Sequence, residues 1–100
     1  MKGTDKQIRW ADEIRSSIAS SLPDMSSNPI ADKAKQYVLA IDRAEFWIGH
    51  KDVDPITLLR MMLTGDGLEV GDSYQRIRAN LDPKTGTITQ KYSDGRVVTV

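Results

Sequence analysis

Hydrophobic residues recur at spacings of three and four along residues 28–50, and this pattern predicts a long amphipathic helix. The predicted apolar stripe consists of Ile30, Ala34, Tyr37, Val38, Ile41, Ala44 and Ile48. Asn28 is a good N-cap, and Pro29 suits the first helical position because its missing N–H needs no partner there. We therefore expect one helix of about five to six turns, against which the rest of the chain packs.

A first helix is predicted over residues 4–22. Thr4 and Gln7 are spaced as a capping box, in which each side chain accepts a hydrogen bond from the backbone N–H of the other residue. The apolar residues that follow keep to one face, and Pro23 ends the pattern because proline cannot continue a helix.

A third helix is predicted to begin at Asp54 and Pro55 and to end before Gly65. Its apolar surface is broad and includes Met61 and Met62. We interpret it as a core helix in which methionine fills gaps, and a methionine-lined groove for a partner is the alternative.

The pattern becomes extended from residue 73 onward. Residues 87–92 and 96–100 are rich in β-branched side chains and flank a turn signal at residues 93–95. A second turn signal at residues 82–86 implies a preceding strand at about residues 74–81, although the apolar spacing there also fits a helix. The predicted fold class is α+β: a single domain over residues 1–100, with three N-terminal helices followed by a small C-terminal antiparallel β-meander of two or three strands.

Strand alternation predicts which side chains share a face of this sheet. Ile77, Ala79 and Leu81 are expected on one face, and Tyr74, Arg76, Arg78 and Asn80 on the other. The last hairpin allows two registers. A three-residue turn with Gly95 left-handed places Ile88, Val98 and Val100 on one face, whereas a two-residue turn aligns Tyr92 with Val97.

Composition narrows the class of protein without naming an activity. Lysine and arginine number 14, as do aspartate and glutamate, and cysteine is absent. The sequence therefore offers no disulfide framework and no zinc–thiolate site. It shows no signal-peptide pattern and no apolar run long enough to span a bilayer, so we expect a cytoplasmic protein without a membrane partner.

The residues that could support catalysis or metal binding are few. His50 is the only histidine, and its place after a predicted helix favours a role at the helix C-terminus, with no nucleophile beside it. Residues 65–72 contain Asp66, Glu69 and Asp72, but their spacing does not match a calcium-binding EF-hand loop. We therefore expect no enzyme activity, no metal site and no cofactor.

Two groups of residues are candidates for binding a partner. Phe46 falls about 160° from the centre of the apolar stripe, with Trp47 on its flank, so the two rings are either covered by a later element or form an exposed contact site. The second group is basic: residues 73–100 carry five basic and two acidic side chains. Its candidate binding residues are Arg76, Arg78, Lys91 and Arg96.

A basic sheet face of this kind could contact the phosphates of a nucleic acid, and Tyr74 and Tyr92 could stack on its bases. Charges on an exposed sheet are also the ordinary means of preventing aggregation at its edges. Both interpretations stay open at the level of sequence.

The N-terminal half resembles a group of small phage and mobile-element proteins. Residues 3–15 contain a GT-x-KQ-x-x-WA-x-x-I pattern that resembles the start of small proteins from bacteriophages and integrative or conjugative elements. Residues 44–48 are similar to an aromatic-aromatic-Ile segment that often follows in them, whereas Gly49 and His50 replace a more polar continuation. The resemblance implies an origin in a mobile element, where small proteins often bind and inhibit host proteins, including defence nucleases.

The sequence therefore favours a non-enzymatic accessory protein of phage or mobile-element type that binds a host or element-encoded protein. An anti-defence inhibitor, such as an anti-CRISPR protein, is its specific form. One alternative is a nucleic-acid-binding module that uses the basic sheet face. Another is a regulatory or structural homodimer formed through the third helix.

Overall fold

A computed structural model describes residues 1–65, 67–72 and 74–100. Within these residues the chain forms four helices followed by a four-stranded antiparallel sheet with strand order β1-β2-β3-β4. The helices are α1 Asp5–Ser21, α2 Pro29–Leu39, α3 Ala44–Gly49 and α4 Pro55–Met61. The strands are β1 Leu68–Glu69, β2 Arg76–Asp82, β3 Thr87–Tyr92 and β4 Val97–Thr99. The α+β class is confirmed, with one more helix and at least one more strand than predicted.

The first helix forms as predicted. The Thr4 hydroxyl accepts a hydrogen bond from the Gln7 N–H at 3.2 Å, and the Gln7 side-chain oxygen accepts one from the Thr4 N–H at 3.0 Å. The capping box is therefore complete, and α1 begins at the next residue.

The single helix expected over residues 28–50 is wrong, because the chain leaves the helix after Leu39 and enters α3 at Ala44. Between them, the chain runs beside the N-terminal segment: the Lys2 N–H donates to the Asp42 carbonyl at 3.2 Å, and the Ala44 N–H donates to the Lys2 carbonyl at 2.9 Å. These bonds satisfy backbone groups that a continuous helix would have paired internally. Apolar periodicity could not reveal the break, since the stripe continues through it.

The break reorients the two aromatic side chains that follow it. Phe46 is 1% exposed and Trp47 is not exposed, so the alternative of an exposed aromatic contact site is wrong and a core role is correct. Their rings pack edge to face with centroids 5.0 Å apart, and the Phe46 ring also contacts His50. An angle calculated for one straight helix does not apply once α3 changes direction.

The strands at the C-terminus agree with the sequence more closely. The last hairpin has the three-residue turn, with Gly95 left-handed at φ +91° and Ile88 paired with Val100 through two hydrogen bonds of 2.8 Å. Strand β1 was missed, because it is two residues long and lies in a glycine-rich segment. Two residues to which the sequence analysis referred lie outside the described residues. They are Asp66, in that glycine-rich segment, and Ser73, where the extended pattern was expected to begin.

The helices cover one face of the sheet. Ala79, Leu81 and Ile88 are buried on this face, and the Leu81 N–H donates to the Met62 carbonyl of the α4 end at 2.7 Å. Met62 is fully buried in the core, as expected of a gap-filling methionine. None of the helices in the described residues combines the length and apolarity needed to cross a bilayer.

A β-bulge changes which face Arg76 occupies. Arg76 pairs with Tyr92 and Arg78 with Lys91, so two residues of β2 advance while β3 advances by one. Arg76 therefore lies on the helix-covered face, whereas Arg78 lies on the open face. The expectation that both arginines share one face is wrong, and Ile77 is 42% exposed instead of buried with Ala79.

Candidate functional site

The open face of the sheet carries a cross-strand pair of cations at its centre. Arg78 on β2 lies directly opposite Lys91 on β3, with Glu69 of β1 and Val97 of β4 at the two ends of the same row. Neither cation has a hydrogen-bond or ion-pair partner among the described residues. Arg78 and Lys91 also line a shallow depression of about 260 Å³ together with Asn80 and Thr89. The two basic side chains are therefore available to an acidic ligand.

The other two predicted basic residues have partners. The Arg76 guanidinium donates to Asp72 through Nε at 2.8 Å and through a second nitrogen, and Arg96 donates to Asp94 at 2.7 Å. Arg96 lies 4.5 Å from the centroid of the Tyr92 ring and its side chain is 62% exposed. The structure therefore does not bring the four predicted cations together on one surface.

Asp72 holds the loop that leads into β2. It is 3% exposed, and one of its carboxylate oxygens accepts hydrogen bonds from the backbone N–H groups of Tyr74 and Arg76. Burial by itself would lower the pKa of Arg76, but the hydrogen bond to Asp72 raises that pKa above its ordinary value. Gln75, between these partners, is left-handed at φ +66°, a conformation that the Asp72 bonds help to hold. From the sequence, Asp72 was considered only as a calcium ligand, and this role was missed. The signal that could have shown it is an aspartate in a turn, where the side chain often accepts a hydrogen bond from the backbone two residues later.

Arg76 contacts two aromatic side chains. Its guanidinium carbon lies 4.9 Å from the centroid of the Tyr37 ring and 5.4 Å from that of Tyr74. Both are cation–π contacts, and Tyr74 is 63% exposed. Each of the three tyrosines thus contacts an arginine of the C-terminal part of the chain: Tyr37 and Tyr74 contact Arg76, and Tyr92 contacts Arg96.

Next to these rings is an open hollow of about 370 Å³, which we call the tyrosine hollow. Its lining residues are Ala40, Tyr74, Arg76, Gln90 and Tyr92. Gln90 is 5% exposed, and its side-chain oxygen accepts a hydrogen bond from the Tyr37 hydroxyl at 3.1 Å. Burial raises the pKa of Tyr37 to about 12, so this hydroxyl keeps its proton at neutral pH. Tyr37 and Gln90 were not identified from sequence, because their pairing joins α2 to β3.

A second hollow, the apolar groove, lies between α2, α4 and the β2–β3 turn. It measures about 350 Å³, and its walls are formed mainly by Ile30, Ala34, Ile56, Leu59, Leu63 and Leu81. Leu63 is 44% exposed, and Arg60 is the one charged residue among the described residues of the lining. The exposed part of the α4 region is thus lined by leucine and isoleucine, while Met62 points into the core.

His50 is the C-cap residue of α3, as its predicted role at a helix end required. Its Nδ1 lies 2.6 Å from the Phe46 carbonyl oxygen, one turn earlier in the helix. No group of three or more histidine, cysteine, aspartate or glutamate side chains suited to a metal ion occurs in the part of the chain that the structure describes.

Comparisons of this chain with protein-family models, with curated proteins and with solved structures found no match.

Proposed function

We propose that this protein is a non-enzymatic binding module that recognises an acidic patch on a partner protein through the open face of its sheet. The observation that carries the proposal is the pairing of Arg78 with Lys91, two like charges opposite each other and without partners among the described residues. An interface that supplies carboxylates would relieve their repulsion. Electrostatic complementarity of this kind accelerates association and selects the partner.

The position of the two cations favours a binding role over a protective one. Like charges directly opposite each other destabilise a sheet. Charged residues that prevent aggregation belong on edge strands, whereas β2 and β3 are the central strands of this sheet. The Arg78–Lys91 pair therefore weakens the sheet without protecting one of its edges, and binding to a partner is the best explanation for it.

The neighbours of the cation pair suit a protein surface. Val97, opposite Lys91, is 60% exposed, and Ile77 at the bulge is 42% exposed. Apolar side chains beside a few charges are typical of protein–protein interfaces. A nucleic acid would gain less on the open face, because the two cations Arg78 and Lys91 neutralise few phosphates.

The biological setting that we propose is a phage or mobile element. The resemblance of residues 3–15 and 44–48 to small proteins of such elements supports it, and an inhibitor of a host defence nuclease is the specific form. Direct nucleic-acid binding and self-association through the apolar groove are the competing functions, and a cytoplasmic location fits all three.

The test is affinity capture from bacterial lysate with the wild-type protein and an Arg78→Glu/Lys91→Glu variant. Both samples are prepared with and without nuclease treatment. We expect one partner protein that survives nuclease and is lost with the variant. A charge-matched control, Lys6→Glu/Arg9→Glu on the exposed side of α1, should still capture the partner protein.

Three results would contradict the proposal. Recovery of nuclease-sensitive material alone, with affinity that falls steeply with salt, would favour nucleic-acid binding. Equal capture by the two double variants would exclude the open face as the interface. A mass that rises with protein concentration and returns to that of a monomer on Leu63→Glu would favour the homodimer.

A further inference from the structure

The tyrosine hollow combines two features that point to a planar ligand, and neither belongs to the open face. The first is its walls, since Tyr74 and Tyr92 both line it and Tyr74 is 63% exposed. The second is the amide of Gln90. Gln90 lines the hollow but is 5% exposed, and only its oxygen has a partner among the described residues.

The hydrogen-bond pattern fixes what the amide offers. Tyr37 keeps its hydroxyl proton at neutral pH, so it donates to the Gln90 oxygen at 3.1 Å. The NH₂ group of Gln90 is then left with two donors and no acceptor in the described part of the chain. Among the described residues no fully buried side-chain nitrogen or oxygen lacks a partner, so this NH₂ nitrogen is accessible from the hollow. An accessible donor on a side chain that is otherwise buried is suited to a ligand that carries a carbonyl oxygen.

A further cation, Arg96, contacts Tyr92, one of the residues that line the hollow. Arg96 lies over the Tyr92 ring at 4.5 Å and pairs with Asp94 at the surface. Exposed ion pairs are weak, so the guanidinium can exchange the carboxylate for a phosphate. An aromatic wall, a donor at the base and an exchangeable arginine together match a nucleotide base with its phosphate.

We propose that the tyrosine hollow binds a carbonyl-bearing base of single-stranded nucleic acid, which stacks on tyrosine and accepts a hydrogen bond from Gln90. This activity goes beyond the proposed protein interface and uses the other face of the sheet. Thymine, uracil and guanine present a suitable carbonyl, whereas adenine has none. The site therefore prefers oligothymidylate to oligoadenylate.

The experiment is fluorescence anisotropy with labelled oligothymidylate and oligoadenylate of about ten nucleotides, a length within the range of single-strand sites. We expect tighter binding of oligothymidylate by the wild-type protein. Tyr74→Ala should weaken it by about tenfold, since stacking on an aromatic ring is worth about that factor per base. Trp10→Ala, which removes an exposed ring on α1 instead, should leave the affinity unchanged.

A second variant separates base recognition from stacking. Gln90→Met keeps the length of the side chain but removes the amide, so we expect the preference for oligothymidylate to disappear while some affinity remains. Circular dichroism and the thermal midpoint of each variant establish that it is folded before binding is compared.

Three outcomes would overturn this inference. They are no binding of either oligonucleotide at about 1 mM, equal affinity of wild type and folded Tyr74→Ala, or a preference for oligothymidylate that survives in Gln90→Met. Loss of binding in Arg78→Glu/Lys91→Glu but not in Tyr74→Ala would assign nucleic-acid contact to the open face. That result would also count against the proposed protein interface, whereas failure at the hollow alone would leave that interface intact.

Discussion

The indole Nε1 of Trp47 donates a hydrogen bond to the backbone carbonyl of Ile41 at 2.9 Å, across the break between α2 and α3. Both residues are fully buried. In a continuous helix the Ile41 carbonyl would accept a hydrogen bond from a backbone N–H, and Trp47 supplies the donor instead. The break therefore depends on the buried Trp47 side chain, which in turn finds its hydrogen-bond partner at the break.

Replacing Trp47 by phenylalanine tests this bond. Trp47→Phe keeps a large ring but leaves the Ile41 carbonyl buried without this donor, so we expect a loss of about 1–3 kcal/mol in the free energy of unfolding. Chemical denaturation followed by circular dichroism measures it. Trp10→Phe, at a ring that is 47% exposed, should change stability by about 0.5 kcal/mol or less. Equal effects at the two positions would show that the bond contributes nothing.

Loss of either Asp72 or Arg76 from their buried ion pair should lower the stability of the protein. The Asp72 side chain has no exposed surface and that of Arg76 is 13% exposed. Asp72→Ala removes the acceptor for the guanidinium and for two backbone N–H groups, which should cost about 3–5 kcal/mol. Thermal unfolding measures the effect. Asp94→Ala, which removes the partner of the exposed Arg96, should destabilise the protein much less, because exposed ion pairs contribute little.

Tyr37 should make the protein less stable in strong alkali. Its pKa rises from the ordinary value of 10.0 to about 12 in the folded state, chiefly through burial, while the unfolded chain keeps the ordinary value. The folded state therefore holds the proton longer. Its contribution is complete below about pH 10 and is lost as the pH rises towards about 12, with a magnitude of about 1–2 kcal/mol after solvent screening.

Spectrophotometric titration of tyrosine and denaturation between neutral and alkaline pH check this expectation. One of the three tyrosines should ionise near pH 12, and Tyr37→Phe should remove that step together with part of the alkaline loss of stability. If the variant shows the same alkaline slope as the wild type, the loss arises from other groups.

Two glycine substitutions should have opposite effects. A Cβ on Gly67, which is left-handed at φ +83°, would clash with the Ala79 carbonyl oxygen, so Gly67→Ala should separate β1 from β2 and cost more than about 2 kcal/mol. Gly49 lies in α3, and no atom of the described residues is within 4 Å of an added Cβ. Gly49→Ala should therefore stabilise the protein by about 0.5–1 kcal/mol. Equilibrium unfolding measures the free energy of unfolding of both variants. A loss in Gly49→Ala or a gain in Gly67→Ala would contradict this expectation.

The cation pair on the open face should reduce the stability of the free protein. Lys91→Glu places a carboxylate opposite Arg78, and we expect a gain of about 0.2–1 kcal/mol in the free energy of unfolding at low salt. The gain should shrink as salt is added. Lys84→Glu in the exposed β2–β3 turn provides the comparison and should have little effect. A loss of stability in Lys91→Glu would remove the argument that the pair is kept for binding.

Local chemistry explains what the sequence predicted correctly. The Thr4 box, the Asn28 cap and the left-handed Gly95 of the last turn form because their atoms lie within a few residues of one another. Side-chain and backbone geometry decide such features before any distant contact is made. The α+β class follows from the change in hydrophobic period near residue 73.

Features that depend on distant segments required the tertiary structure. The break after Leu39 depends on hydrogen bonds to Lys2, which is remote in sequence, and the burial of Phe46 follows from that break. Strand β1 is too short to have a pattern and exists through its pairing with Ala79. No periodicity within one segment contains this information.

The candidate sites show the same division. The sequence by itself identified Arg76, Arg78, Lys91 and Arg96 as a basic group in the C-terminal part of the chain. Only the tertiary structure divided it, because one bulge residue reverses the alternation and places Arg76 against Tyr37 while leaving Arg78 opposite Lys91. Charge is a property of composition, but the face that a charge occupies is set by strand register, which is decided by pairing between strands.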